Sequence, residues 1–307
     1  SDWHAWRGHE PVALPHVPGH ELVGVVNRVG RDVHDFAVGD RVTTPFVNGC
    51  GVCELCRGGD AQVCPHQTQP GFTHHGSFAE QVALFAADTN LVRLPAGMDP
   101  VVAASLGCRF ATAYRAVTAH GRVGDGDWVA VFGCGGVGLS AIQISIALGA
   151  RVVAVDVSEV ARRRAADLGA VPLGSDDAAA RVVEVTGGGA HVAIDALGSA
   201  ATEVAGVRSL RRRGRYVQVG LMLGPDARAP LPWDAVVAYE LEVYGSHGMA
   251  ARDYPAMLEL VDSGVLRPAE LVGRVIPLSA APAALMAMDS PAAETAGMTI
   301  IDLTQGW

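Results

Sequence analysis

Residues 128–156 read WVAVFGCGGVGLSAIQISIALGARVVAVD. An apolar β-branched run (128–132) meets a glycine-rich turn, then a long apolar helix pattern (137–148), then a second β-branched run (151–156). The turn is Gly133-Cys134-Gly135-Gly136-Val137-Gly138. A GxGxxG sequence is common by itself, and its bland reading is a structural glycine turn. Between a strand and a helix it has a mechanism. The first glycine permits the tight turn, the second lets backbone approach a pyrophosphate, and the third lets helix pack on strand, with the helix N-terminus facing the anion. Asp156 ends the second strand, 18 residues after Gly138. A carboxylate there accepts from an adenosine ribose and repels a 2′-phosphate, which favours NAD over NADP. Arg162, Arg163 and Arg164 follow closely and could host that phosphate; as a solvated helix face they would not, so NADP stays open as the alternative.

Outward from this unit the alternation continues. Runs at 191–195 and 215–219 read as further strands, and a helical pattern covers 101–120 before the motif. Strand and helix in alternation predict a doubly wound α/β parallel sheet. The first hundred residues have a different grammar. Residues 22–29, 41–47 and 78–84 read as short strands separated by glycine turns, a compact β-rich region. After Gly245 the chain turns helical and then returns to strand-like segments at 271–276 and 298–303.

Composition narrows the function. Half of the 307 residues are apolar and 18% are charged, enough to bury a sizeable core. The net charge is −9 and no basic run tracks a phosphate backbone, which argues against nucleic acid. No apolar stretch reaches the 18 or so residues of a membrane helix. All 23 basic residues are arginine, so Schiff-base catalysis, a lysine-bearing P-loop and a Tyr/Lys proton donor are excluded.

Four of the six cysteines lie within fifteen residues: Cys50-x2-Cys53-x2-Cys56-x7-Cys64. The chain is neither small nor cysteine-dense, so a disulfide framework is the poorer reading and a reducing, cytoplasmic setting the better one. Four thiolates fit a tetrahedral zinc with no open position, a staple without chemistry. Iron–sulfur ligation is the competing reading. Two weaker signals stand apart. Gly19-His20-Glu21 precedes a β run, and Cys108 opens the helical stretch before the glycine loop. Catalytic zinc takes three protein ligands and leaves one position open. His20 and Cys108 are candidates with Glu21 adjacent, while Cys134 sits inside the glycine loop and is not one.

Together these residues resemble the zinc-dependent medium-chain dehydrogenase/reductase family, alcohol dehydrogenase type, over essentially the whole chain. The carriers are Ser1-Asp2-Trp3-His4-Ala5-Trp6, Gly19-His20-Glu21, the quartet, Cys108 with Thr112, the Gly133–Gly138 loop and Asp156. The resemblance implies a Rossmann domain over 111–243 and a GroES-like catalytic domain built from 1–110 and 244–307. It implies one structural zinc on Cys50, Cys53, Cys56 and Cys64, one catalytic zinc on His20 and Cys108 with Glu21 behind it, and NAD on Gly133, Gly135, Gly136, Val137, Gly138 and Asp156. The family's further zinc-binding Cys stands two positions before this Ser1, so the chain reads as N-terminally truncated. By the same resemblance Asp2 orients His20, Ser1 touches the alcohol oxygen and His4 ends a proton relay. Trp6 and Phe46 line the substrate channel, with ordinary core as their plainer reading, and Thr112 lies near the nicotinamide. The expected reaction is hydride transfer between an apolar primary or secondary alcohol and NAD, by a homodimer or homotetramer. A polyol dehydrogenase, an NADP-dependent aldehyde reductase and a catalytically incomplete chain that binds NAD and structural zinc are the alternatives. A zinc-free quinone or enoyl reductase is disfavoured by the quartet and by Gly19-His20-Glu21.

Overall fold

The structure, a computed structural model, describes residues 1–289 and 297–305. It separates into two compact units, Ser1–Ala111 with Gly248–Trp307, and Thr112–His247. No described helix is long and apolar enough to cross a membrane.

The second unit is built on six strands: β4 (Trp128–Phe132), β5 (Arg151–Val155), β6 (Val171–Leu173), β7 (Ala190–Asp195), β8 (Leu210–Gln218) and β9 (Glu242–Gly245). Their order is β6-β5-β4-β7-β8-β9, every pairing parallel. The chain starts in the middle, winds out to one edge, returns and winds to the other. This is the dinucleotide-fold order, with its switch point between β4 and β7. Burial explains the composition of the central strands. Val129, Ala130, Val131 and Phe132 are at most 1% exposed, as a strand covered on both faces must be. The helix Gly136–Ala147 is apolar on nearly every side because both of its faces are covered, with Leu139, Ile142 and Ile144 buried.

The first unit carries a three-stranded antiparallel sheet, β1 (Val23–Val25), β2 (Arg41–Thr43) and β3 (Val92–Arg93), and a parallel pair, β10 (Val272–Ile276) with β11 (Met298–Ile301). Its strands are shorter than the sequence patterns suggest. Residues 78–84 alternate but pair with no strand among the described residues, and alternation without a hydrogen-bonding neighbour does not make a strand. Three strands escape the sequence reading, β3, β6 and β9. The sixth strand runs through Gly245, and the first unit resumes at Gly248. The expected helix over 101–120 is divided: Pro100–Ala104 is capped by Asp99, and Leu106–Phe110 and Ala116–His120 are wider turns with i→i+5 bonding.

Candidate active site and metal centres

The quartet is assembled as its spacing suggests. The sulfurs of Cys50, Cys53, Cys56 and Cys64 all lie within 4.8 Å of one another, and none is in a disulfide. Cys53 caps the helix Glu54–Gly58 with its sulfur, accepting from Cys56 N–H at 3.4 Å. Cys64 Sγ accepts from the N–H groups of Cys50 and His66 at 3.4 and 3.3 Å. Cys53 and Cys64 sulfurs are 3.7 Å apart. A tetrahedral ion with Zn–S bonds of about 2.3 Å requires an edge of about 3.8 Å. The backbone N–H groups of Val52 and Cys53 pull the Cys50 thiol down to about 6, into the thiolate form a metal needs. The donors fit a closed four-thiolate zinc site.

A second constellation forms inside the first unit around a pocket of about 230 Å³. His20 is 4% exposed, and its Nδ1 stands 2.8 Å from Asp2 Oδ2. Asp2 Oδ1 accepts from Gly19 N–H at 2.8 Å, so backbone and ring share one carboxylate. Burial alone would raise the Asp2 carboxyl, but His20 outweighs it and holds it at about 2. Burial alone would depress the His20 imidazole; the Asp2 carboxylate and the Cys108 side chain, both hydrogen-bonded to it, outweigh that and raise it to about 10. Cys108 is brought to the ring by the wide turn Leu106–Phe110. That turn is pinned by Phe46 N–H on the Gly107 carbonyl at 3.0 Å and by the buried Tyr254 hydroxyl on the same carbonyl at 3.1 Å.

Glu21 points to the same place but is fully engaged. Its Oε1 accepts from the N–H groups of Cys108 and Arg109 at 3.0 and 3.3 Å, and its Oε2 accepts from Arg109 Nη2 and Nε at 2.9 and 3.2 Å. Burial opposes its ionisation, yet Arg109 and His20 hold the carboxyl below its ordinary value. Arg109 was not legible as a site residue. Its only sequence signal is its place beside Cys108.

The polar wall of the pocket is Ser1, Asp2, Trp3, His20, Cys108 and Arg109; the apolar wall includes Leu22, Phe78, Leu285, Met288 and Ile300. Two expectations need correction. Trp6 is not a wall of this pocket: it is 42% exposed, with Arg7 over its ring. In the helix Asp2–Trp6 the residue three positions earlier, Trp3, faces the pocket instead. Phe46 does not line the pocket either. It stands behind His20, ring centroids 6.2 Å apart and nearly perpendicular, as a support for the imidazole. His4 lies outside the pocket, with its Nδ1 against His9. Among the described residues the quartet is the one group of three or more metal donors, and His20 with Cys108 stands as a pair. A soft thiol and an imidazole, with a carboxylate fixing the ring, fit two positions of a zinc site with its supporting shell.

In the second unit the glycine loop has its expected form. Gly133 has φ +90°, and a Cβ on Gly138 would stand 1.8 Å from the Gly133 carbonyl oxygen. No side chain can be added at the third glycine without breaking the turn. Gly135 caps the helix without a side-chain bond, so its first N–H groups remain for an anion. Asp156 accepts from Cys134 N–H and Ser158 N–H, both at 2.7 Å, which fixes the carboxylate beside the loop. Arg162 turns back onto the carbonyls of Asp156 and Val157, and Arg163 pairs with Glu159 along its own helix. Burial pushes the Cys134 thiol up to about 12, and among the described residues it joins no group of three or more metal donors. Thr112 is 7% exposed and its hydroxyl has no partner.

Comparison with known proteins agrees with both halves. Residues 1–96 match the alcohol dehydrogenase GroES-like domain, and residues 136–263 the zinc-binding dehydrogenase domain. An alcohol dehydrogenase of Geobacillus stearothermophilus is 36% identical over 274 residues, covering 87% of this chain and 79% of its own. A sorbitol dehydrogenase of Halalkalibacterium halodurans is 33% identical over 279 residues, 89% and 80% of the two chains. The solved alcohol dehydrogenase TADH from Thermus sp. ATN1 superposes with a TM-score of 0.90 at 32% identity, over 98% of this chain and 88% of that one. An NAD-dependent alcohol dehydrogenase superposes with a TM-score of 0.85, also at 32% identity and with the same two coverages. The chain therefore belongs to the zinc-dependent medium-chain alcohol dehydrogenase family and is an alcohol oxidoreductase.

Proposed function

We propose that the chain oxidises an apolar primary or secondary alcohol to an aldehyde or ketone, reversibly, with NAD as hydride acceptor. The observation that carries this reading is the meeting of His20, Cys108 and Asp2 on a pocket whose lining also includes Leu22, Phe78, Leu285 and Met288. With zinc on His20 and Cys108 and NAD on the glycine loop, the metal supplies the Lewis acidity that lowers the alcohol pKa and the cofactor supplies the hydride acceptor.

The chain's own residues do the rest. Asp2 fixes the orientation and tautomer of the His20 ring, and Gly19 N–H fixes Asp2. Glu21, held by Arg109, places negative charge behind the metal and is not a ligand in this arrangement. The Ser1 hydroxyl would accept the alcohol proton while handing on its own, by way of the cofactor ribose, to His4 and then solvent. Leu22, Phe78, Leu285 and Met288 receive the alkyl part and exclude water. Gly133, Gly135, Gly136, Val137 and Gly138 receive the pyrophosphate, Asp156 the ribose, and Thr112 the nicotinamide. In this reading Gly248–Trp307 completes the catalytic domain begun by Ser1–Ala111, and Thr112–His247 is the NAD-binding domain. A homodimer or homotetramer belongs to it too: β9 is an open sheet edge, and Trp233 and Val237 nearby in sequence are 60% and 74% exposed.

The test is NADH formation from ethanol, 2-butanol, benzyl alcohol and sorbitol, with NADP in parallel. Turnover of the first three with NAD supports the reading. Preference for sorbitol makes it a polyol dehydrogenase, and no NADH from any alcohol overturns it. Asp156→Ala removes a charged acceptor worth about 1.5–3 kcal/mol, so KM for NAD is expected to rise about tenfold or more while NADP is affected less. The ratio of the two kcat/KM values checks this.

The Asp2–His20 pair makes metal loading a proton exchange. An imidazole raised above its ordinary value is protonated at pH 7, so zinc must displace that proton. In Asp2→Asn the carboxylate that does most to raise the ring is gone, leaving Cys108 against burial, which favours the neutral form. Zinc uptake in weak buffer at pH 7 is expected to release about one proton fewer per chain in the variant. An indicator dye measures it, and equal release from both proteins contradicts the assignment.

A further inference from the structure

The helix Asp2–Trp6 ends in a turn that brings two histidines together. Gly8 has φ +75°, Gly8 N–H donates to the Ala5 carbonyl at 3.0 Å, and His9 N–H donates to the His4 carbonyl at 2.9 Å. These are the two bonds of a Schellman motif, which sets the residue after the glycine against the residue one turn back. In most proteins an apolar contact fills that place. Here both residues are histidine, with Nδ1 atoms 3.2 Å apart. Two imidazoles sharing a tetrahedral ion at about 2.0–2.1 Å would hold their nitrogens about 3.3 Å apart. The backbone has already set the spacing.

The surroundings suit a cation. Burial, the N-terminal ammonium and the facing His9 hold His4 below its ordinary value, which favours the neutral ring, and the Glu10 carboxylate acts with the opposite sign. Trp3 packs edge-on against both rings, centroids 5.1 and 5.4 Å away. His9 is exposed and His4 half-buried, their contact is open to solvent, and neither belongs to the quartet.

We propose that His4 and His9 form a surface site for a borderline divalent cation of the Zn²⁺ or Ni²⁺ class, and that filling it takes His4 out of proton transfer and slows turnover. The second half rests on the relay role given to His4 under the proposed function; the first half does not.

The probe is Ni²⁺ added to the zinc-loaded enzyme, read by tryptophan emission and by NADH formation, with zinc content measured before and after to exclude exchange. Ni²⁺ is expected to quench part of the emission and to slow turnover with one midpoint. His9→Gln removes the intramolecular second donor and should shift that midpoint at least about tenfold, with metal-free turnover within about twofold of the parent. The same midpoint in His9→Gln, or no quenching in the parent, overturns the site. Quenching that His9→Gln abolishes, with turnover indifferent to Ni²⁺, establishes the site and overturns the relay role of His4.

Discussion

Replacing Cys64 with alanine will remove one zinc per chain and lower the thermal midpoint by about 6 °C or more. Cys64 is the most buried of the four, at 1% exposure, and its sulfur accepts two backbone N–H groups. Alanine leaves three thiolates and two unpaired donors. Zinc binding contributes about 10–16 kcal/mol in small zinc-binding peptides, where the apo form is unfolded. A loss on the order of a third of that would exceed 3 kcal/mol, and at about 2–4 °C per kcal/mol the midpoint moves accordingly. Besides the sulfurs, the loop 49–66 is held by one short helix, one turn, a bridge between Asn48 and Thr68, the Asn90 amide on Gly49 and Arg252 on the Gly58 carbonyl. The variant should therefore be cut there by protease while the six-stranded sheet survives. Scanning calorimetry with metal analysis checks both, and an unchanged midpoint with full zinc would show that the quartet is not a staple.

Cys108→Ala should have the larger effect on chemistry and a small one on folding. The residue is in the first unit, on a turn pinned by Phe46 and Tyr254, and that pinning uses the Gly107 backbone rather than the thiol. Removing the thiol keeps the turn and deletes one of two soft donors. Loss of metal polarisation removes a contribution larger than a single oxyanion donor, itself about 10²–10³ in kcat. Turnover should fall on the order of a thousandfold or more, with Tm within a few degrees and the quartet zinc retained. Steady-state kinetics beside metal counts reads both. A variant that keeps its rate would remove Cys108 from the metal site.

What sequence could show depended on distance along the chain. The glycine loop and the quartet are local: six and fifteen residues carry all the ligating atoms, so spacing suffices. Four of the six sheet strands were legible: β4, β5 and β7 are mostly apolar, and β8 shows only a short apolar stretch at its end, around Tyr216 and Val217. β6 has three residues with Pro172 in the middle, and β9 alternates Glu242, Val243, Tyr244 at an edge, so neither stands out. The pocket is the opposite case. Its walls come from residues 1–3, 20–23, 77–78, 104–109, 276–288 and 297–303, and no periodicity links them. Resemblance supplied His20, Cys108 and Asp2, and the structure brought them together. It could not supply Arg109, whose partner Glu21 is 88 residues away. Nor could it settle which tryptophan faces inward: a five-residue helix has too few turns to show its phase.

Cobalt(II) in place of zinc tests the central claim most directly, because its visible absorption reports the ligands of the metal itself. With NAD bound, adding an alcohol is expected to shift the bands of the cobalt held by His20 and Cys108, and Cys108→Ala is expected to keep only the bands of the closed quartet, which do not respond. A spectrum indifferent to alcohol while NADH accumulates would contradict the account.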